Sequence, residues 1–430
     1  MKKQLVLAIA VVALASFSHC QVGSSASDLD TTFGTSGKIT IDFASAEDGA
    51  TGVAVQSNGA IVVVGRAYSG TTSDFAIARL TSAGALDSTF DTDGKVTTDF
   101  GGNDEAHAVV VQSDGKIVVA GTTTSGGTTQ VAVARYTTAG ALDTSFSADG
   151  KVFILVGTID DASAIAIDGD GKIVLAGTTF NGSNKDFLLV RLESDGDLDT
   201  AFSSDGKLGI PIGTSDDVGR GVAIQTDGKI VIAGSSKTAT TNDFGAARVS
   251  DTGTVDTSFG TSGITTVNFA ASPSASDDNA YGVKMLSGGD ILIGGTMNDG
   301  TNDLLALARL NSAGALDTDF GTNGIATLGY ADSKGTAYSV QGQALALTTG
   351  NQPILAGFVH PESGFDIGLA QFQTDGSKDI GFGTDGIVST DISGQTDEAH
   401  AVASQSDGKI VVAGRAFNGT NFDFVILRYQ

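Results

Sequence analysis

Short apolar runs, each closed by a polar, glycine-bearing interruption, follow one another along the chain in an arrangement that returns seven times. Val109 to Gly121, VVVQSDGKIVVAG, is representative. Asp-Gly between two β-rich runs is a strong hairpin signal, because its residues tolerate the positive φ that tight turns need. Neither run alternates apolar with polar, so both faces of the predicted hairpin are expected to be covered. The cover comes from further copies of the unit: VAVQSNGAIVVVG from Val53, IAIDGDGKIVLAG from Ile165, VAIQTDGKIVIAG from Val222, VKMLSGGDILIGG from Val283, LALTTGNQPILAG from Leu345 and VASQSDGKIVVAG from Val402.

Three other anchors keep the same rhythm. Leu-Asp-x-x-Phe, with variants at the first position, ends at Phe33, Phe90, Phe146, Phe202, Phe259, Phe320 and Phe382, and its Asp steps by 57, 56, 56, 57, 61 and 62 residues. Four residues after each Phe, a Gly opens a further strand, as in Gly94 to Phe100, and Asp-Phe-x-x-x-Arg, as in Asp74 to Arg79, marks another. The unit therefore predicts four strands: a (VAVQ), b (KIVVAG), c (DFAIAR) and d (KVTTDF). Four short strands at this period, with turn chemistry at each junction, predict propeller blades. A strand d, Gly37 to Phe43, precedes the first a, and the last strand c, Asp423 to Arg428, has no d after it. The expected architecture is an all-β, seven-bladed propeller of four antiparallel strands per blade, closed by pairing these two segments.

The combined pattern Asp-Gly-Lys-Ile-x-x-x-Gly, Asp-Phe-x-x-x-Arg, Leu-Asp-x-x-Phe-Gly-x-x-Gly-Lys resembles the bacterial delta-60 repeat, from about Leu29 to Gln430. That resemblance implies a propeller of unknown function in an exported protein and no catalytic residue. The fifth and sixth copies depart from it at Gly289-Asp290, Pro353 and Gln371.

Composition adds the setting. The 59 glycines and four prolines fit many tight turns, and units under about 60 residues must stack to be stable. A net charge of −25 makes nucleic acid an unsuitable partner and leaves basic partners or cations open. Lys2 and Lys3, the apolar run Leu5 to Leu14 and the small residues after it have the layout of a secretory signal peptide, too short to span a membrane. The expected organisation is a signal segment at 1–19, a short linker at 20–28 and the propeller at 29–430. Cys20, the single cysteine, stands where bacterial lipoproteins are acylated, although Phe17-Ser18-His19 before it depart from the usual small residues. Ordinary cleavage near Ala15 or Ser18 is the alternative. Export to the cell surface, outer membrane or periplasm follows in either case, with a lipid anchor as the membrane contact and a monomer as the expected state.

Candidate chemistry lies on the face carrying the d–a and b–c loops, where the copies diverge. Each strand a opens small, variable, small, and the variable residues, Thr51, His107, Ser163, Arg220, Tyr281, Gln343 and His400, are expected to ring the channel mouth as a binding site. Acidic pairs precede them in six blades, giving a candidate rim of Asp48, Asp104, Asp161, Asp217, Asp278 and Asp397 that would steer a basic or cation-bridged partner or tie the loop through side-chain to backbone bonds. The strand c arginines need buried partners, and the loop Asp eight residues on, Asp87 for Arg79, is the expected one.

No cofactor is expected. Calcium stays open because Asp91/Asp93 and Asp168/Asp170 offer two carboxylates each, short of a calcium loop. Zinc is disfavoured: beyond residue 19 the histidines are His107, His360 and His400, and no second cysteine occurs. No metal site is assigned. No nucleophile elbow precedes a helix, and adjacent carboxylates on a strand point to opposite faces. Absence of tryptophan removes a common sugar platform. The expected function is a non-enzymatic binding or scaffold module for a protein or other polymer of the cell envelope. The alternative is a propeller hydrolase or lyase acting at the mouth through Arg220, Tyr281 and the two histidines.

Overall fold

A computed structural model describes residues 27–43, 45–237, 241–269, 277–332, 334–361 and 364–430. The expected signal segment, Cys20 and most of the linker lie outside these residues. Among the described residues there is no helix, and seven antiparallel four-stranded sheets carry the fold.

Blade 1 shows the plan. Its strands a to d are Asp48–Val55, Ile61–Tyr68, Ser73–Leu80 and Lys95–Thr98, hydrogen-bonded in that order. The six following sheets repeat it, with strands a beginning at Asn103, Asp160, Asp217, Asn279, Val340 and Asp397. Strand a of each blade touches strand a of its neighbours all the way round, blade 7 against blade 1 included. Strands b and c are buried on both faces, which explains why they read as continuous apolar runs. Each interface between blades is one apolar layer: Val62, Val64, Phe75 and Ile77 of blade 1 meet Ile117, Val119, Ala132 and Ala134 of blade 2.

Closure takes the predicted form. Lys38–Ile41 is strand d of blade 7 and pairs with strand c, Phe422–Tyr429, from Lys38 opposite Leu427 to Ile41 opposite Phe424. Asp30 N also donates to the Arg428 carbonyl and Gln430 N to that of Asp28.

The recurrent Arg, Asp and Phe form one staple per blade. Arg135 Nε donates to Asp143 Oδ2 (2.8 Å), Nη2 to Ser145 Oγ (3.0 Å) and Nη1 to the Ser194 carbonyl in blade 3, while the guanidinium carbon sits 4.7 Å from the centroid of the buried Phe146 ring. Arg79, Arg191, Arg248, Arg309 and Arg428 make the same carboxylate contact, the last one with Asp30. Gln371 replaces the cation in blade 6 and still reaches Asp379 (3.1 Å). Lysines of the a–b turns add to three staples, Lys116 to Asp143, Lys172 to Asp199 and Lys409 to Asp30.

Candidate functional site

Strand a carries one β-bulge in every blade, and its position coincides with the small-variable-small triplet. The ladder passes from Ala50 to Gly52, Ala106 to Ala108, Ala162 to Ala164, Gly219 to Gly221, Ala280 to Gly282, Gly342 to Ala344 and Ala399 to Ala401. The skipped residues are Thr51, His107, Ser163, Arg220, Tyr281, Gln343 and His400, the complete set expected at the mouth, and all seven are half-buried on the innermost strands. A bulge adds an unpaired residue and re-aims its side chain. A glycine in the middle of each strand b makes room for it: a Cβ at Gly121 would stand 2.0 Å from the Glu105 carbonyl oxygen, and one at Gly65 1.9 Å from that of Gly49.

Contacts at the mouth run both within blades and between neighbours. Thr51 Oγ1 donates to the Ala106 carbonyl of blade 2. The Arg220 guanidinium lies 4.7 Å from the Tyr281 ring centroid and donates to Ser235 Oγ (2.6 Å), which donates to Asn279 Oδ1 (2.9 Å). His107 Nε2 is 3.4 Å from Thr122 Oγ1, and Ser163 Oγ donates to Asp161 Oδ1 (2.9 Å). Burial pushes the Asp161 carboxyl up, opposed in part by His107, Ser163 and Arg220; burial also lowers the Arg220 pKa, with Tyr281 and Asp161 opposing. On the other side, Glu398 binds Arg415 through two nitrogens (2.8 and 2.7 Å) and stands 3.3 Å from His400 Nε2. Burial alone would raise Glu398, but His400 and Arg415 hold it below the ordinary value. Arg66 reaches Glu105 across blades 1 and 2 (3.3 Å). Gln343 turns to Gln341 (3.5 Å). Beside Tyr281, a cleft of about 450 Å³ is lined by Asp277, Asn279, Thr296, Asn298, Asp303 and Gln341.

The acidic rim is placed differently. Asp48, Asp104, Asp217, Asp278 and Asp397 are at most 2% exposed and cap the turn into strand a, accepting from Phe43 N (2.7 Å), Phe100 N (2.6 Å), Ile212 N (2.8 Å), Phe269 N (3.2 Å) and Ile392 N (2.7 Å). In blade 3 this part is taken by Asp160, which accepts from Val156 N (2.7 Å) and Thr179 Oγ1 (2.6 Å). Asp161, named for the rim, is therefore the one of the six that lines the mouth. Its neighbours by position, Glu105 and Glu398, are the mouth carboxylates that the sequence did not single out; each lies two residues before a mouth histidine, and that spacing is the signal.

The three histidines considered for zinc do not assemble. His107 and His400 belong to blades 2 and 7, and His360 packs on Phe365 (4.1 Å) in the b–c loop of blade 6. Carboxylates of the two loops weighed for calcium cap turn amides: Asp93 accepts from Lys95 N and Asp168 from Asp170 N and Lys172 N.

Six segments match the family described as domain of unknown function (DUF5122) beta-propeller: 56–90, 112–146, 169–202, 225–259, 289–320 and 405–430. No curated protein matches the chain. Among solved structures, virginiamycin B lyase from Staphylococcus aureus is similar at 12% identity, with 91% of this chain and 98% of that one covered and a TM-score of 0.50. A PL25 ulvan lyase is similar at 11%, 90%, 95% and 0.49, and Drosophila Plexin A, solved with Semaphorin 1b, at 10%, 91%, 86% and 0.43. At these identities the likeness is one of fold. The chain is thus a seven-bladed β-propeller whose repeats match a propeller family of unknown function.

Proposed function

We propose that the protein is an exported binding or scaffold module that engages a protein or other polymer of the cell envelope through the channel mouth. The observation that carries this reading is the bulge: seven positions of the same geometry on the innermost strands carry side chains of six different kinds. Arg220 stacked on Tyr281 supplies the anchor, since Arg and Tyr in a partly desolvated pocket dominate binding energies at interfaces. Export through the segment at 1–19, with Cys20 as lipid attachment point, belongs to the same proposal, as does action as a monomer.

The test is a comparison of partners captured from envelope extract by the wild-type chain and by a variant with Ala at Arg220 and Tyr281. Loss of a captured species in the variant supports the mouth as the site; identical captures remove the assignment.

One observation favours a second reading, a hydrolase or lyase. His400 stands beside the carboxylate of Glu398, and His107 near that of Asp161. Such pairs orient an imidazole for proton transfer. Turnover of an envelope polysaccharide or cyclic ester that vanishes in His107→Ala/His400→Ala, with the unfolding temperature unchanged, would replace the binding proposal.

A further inference from the structure

Among the described residues, two places outside the mouth bring three carboxylates together. Asp74, Asp99 and Asp104 meet between blades 1 and 2, and Asp42, Asp48 and Asp423 between blades 7 and 1; in each group one oxygen from every carboxylate lies within 4.8 Å of the others. The two groups are built alike. Each takes the Asp of Asp-Phe in strand c, the Asp that ends strand d, and the capping Asp of the next strand a. Because these positions come from separate strands, no loop motif announces them.

An acidic cluster by itself can be satisfied by hydrogen bonds, and blade 4 demonstrates how. There the residue ending strand d is Asn268, whose Nδ2 donates to Asp243 (2.7 Å). An Asp in the same place has no proton to give at neutral pH. Asp104 is fully buried, yet only its Oδ2 is engaged, by Phe100 N; its Oδ1 has no hydrogen-bond partner among the described residues. Thr123 Oγ1 stands near enough to act on the Asp104 carboxyl, where it opposes the rise caused by burial, but it forms no bond of good geometry there. Asp423 is half-buried; its Oδ2 accepts from Asn418 Nδ2, and its solvent-shielded Oδ1 has no partner among the described residues. Oxygens that are buried, anionic and unpaired are costly unless a cation meets them.

Charge and distance narrow the cation. Lys151 Nζ donates to the Asp99 carbonyl (3.2 Å), and Lys95 Nζ to that of Asp42 (3.0 Å), so each group of three carboxylates carries one lysine nearby and is left with two uncompensated negative charges. Calcium binds oxygens at about 2.3–2.6 Å, so two ligands on one ion stand no more than roughly 5 Å apart, which the 4.8 Å limit on these oxygens meets, and it accepts the irregular oxygen sets that magnesium, bound to near-ideal octahedral geometry, does not.

We propose that each of these two junctions is a calcium site, with Asp74, Asp99 and Asp104 holding one ion and Asp42, Asp48 and Asp423 a second. Both ions flank blade 1, and the second bridges the segment before blade 1 to strand c of blade 7, across the closure of the ring. The sites are independent of the mouth.

Calorimetric titration of the EDTA-treated full chain with CaCl2 tests this, with the unfolding temperature followed in parallel. Two equivalents are expected to bind, with Kd no weaker than about 1 mM as in extracellular calcium modules, and to raise the unfolding temperature. Asp74→Asn loses one equivalent and Asp74→Asn/Asp423→Asn both. Without calcium these variants unfold at or above the temperature of the parent, because a repelling charge has gone. Unchanged stoichiometry in the double variant would assign the binding to diffuse surface charge and overturn the proposal. Equal binding of magnesium would overturn it too. So would an absence of binding together with an unfolding temperature that rises on acidification, the sign that protons satisfy the carboxylates.

Discussion

At the scale of single residues, the strand c arginine ties three things at once: the carboxylate of its own blade, a carbonyl of the next blade and the face of a buried phenylalanine. Its removal leaves a buried carboxylate without its charge partner. Arg191→Ala is expected to lower stability by about 3–5 kcal/mol in chemical denaturation. A loss below about 1 kcal/mol would contradict the pairing with Asp199. Acid should release the same staples. Burial alone would raise Asp199, but Lys172 and Arg191 hold it at about 2. A carboxylate with a depressed folded pKa contributes stability above its unfolded value near 4 and loses it as pH falls toward the folded one. Unfolding followed from pH 5 to pH 2 should therefore show a decline concentrated below about pH 4, shallower in Asp199→Asn. The pairing was legible in the sequence, because the eight-residue offset repeats and a buried guanidinium demands a partner. Which acid of each pair caps strand a was not legible. The cap is the Asp three residues before the bulged residue in all six blades, from Asp48 before Thr51 to Asp397 before His400, and the bulge that sets this count becomes evident only in the strand pairing.

At the scale of the element, the strand b glycine and the strand a bulge are one device. No positive φ requires that glycine; the carbonyl two residues before the bulged one occupies the space a Cβ would need. Gly121→Ala is expected to cost about 1–3 kcal/mol as local overpacking, and Ala106→Gly, on the facing strand, distinctly less. Thermal unfolding of both variants checks the order. The sequence displayed both halves, the terminal Gly of IVVAG and the triplet Ala-His-Ala, without their connection. Strand pairing alone would have set the two in ordinary register, and only the close backbone approach makes the extra residue evident.

At the scale of the whole molecule, the ring is held shut by strand pairing at Lys38–Ile41, by Arg428 with Asp30 and by the apolar layer joining Ile41, Phe424 and Ile426 to blade 1. A chain lacking residues 27–43 leaves strand c of blade 7 as an open edge. It should unfold at lower temperature and self-associate, since unpaired strand edges recruit other chains. Light scattering alongside thermal unfolding reads both effects; a monomer of unchanged stability would mean the closing strand is dispensable. Blade number and closure were legible because both follow from the period and from the offset of strand d. The carboxylate groups at the junctions were not, since they join positions as distant as 42 and 423.

The bulged residue has no partner in the strand register, and small residues flank it on both sides. On the proposed binding role, exchange at any of the seven positions would alter what the molecule can hold without disturbing register or blade count. Preference for a ligand and integrity of the scaffold are written in separate letters of the repeat, so two chains sharing every glycine, staple and strand of this architecture would be free to recognise unrelated molecules.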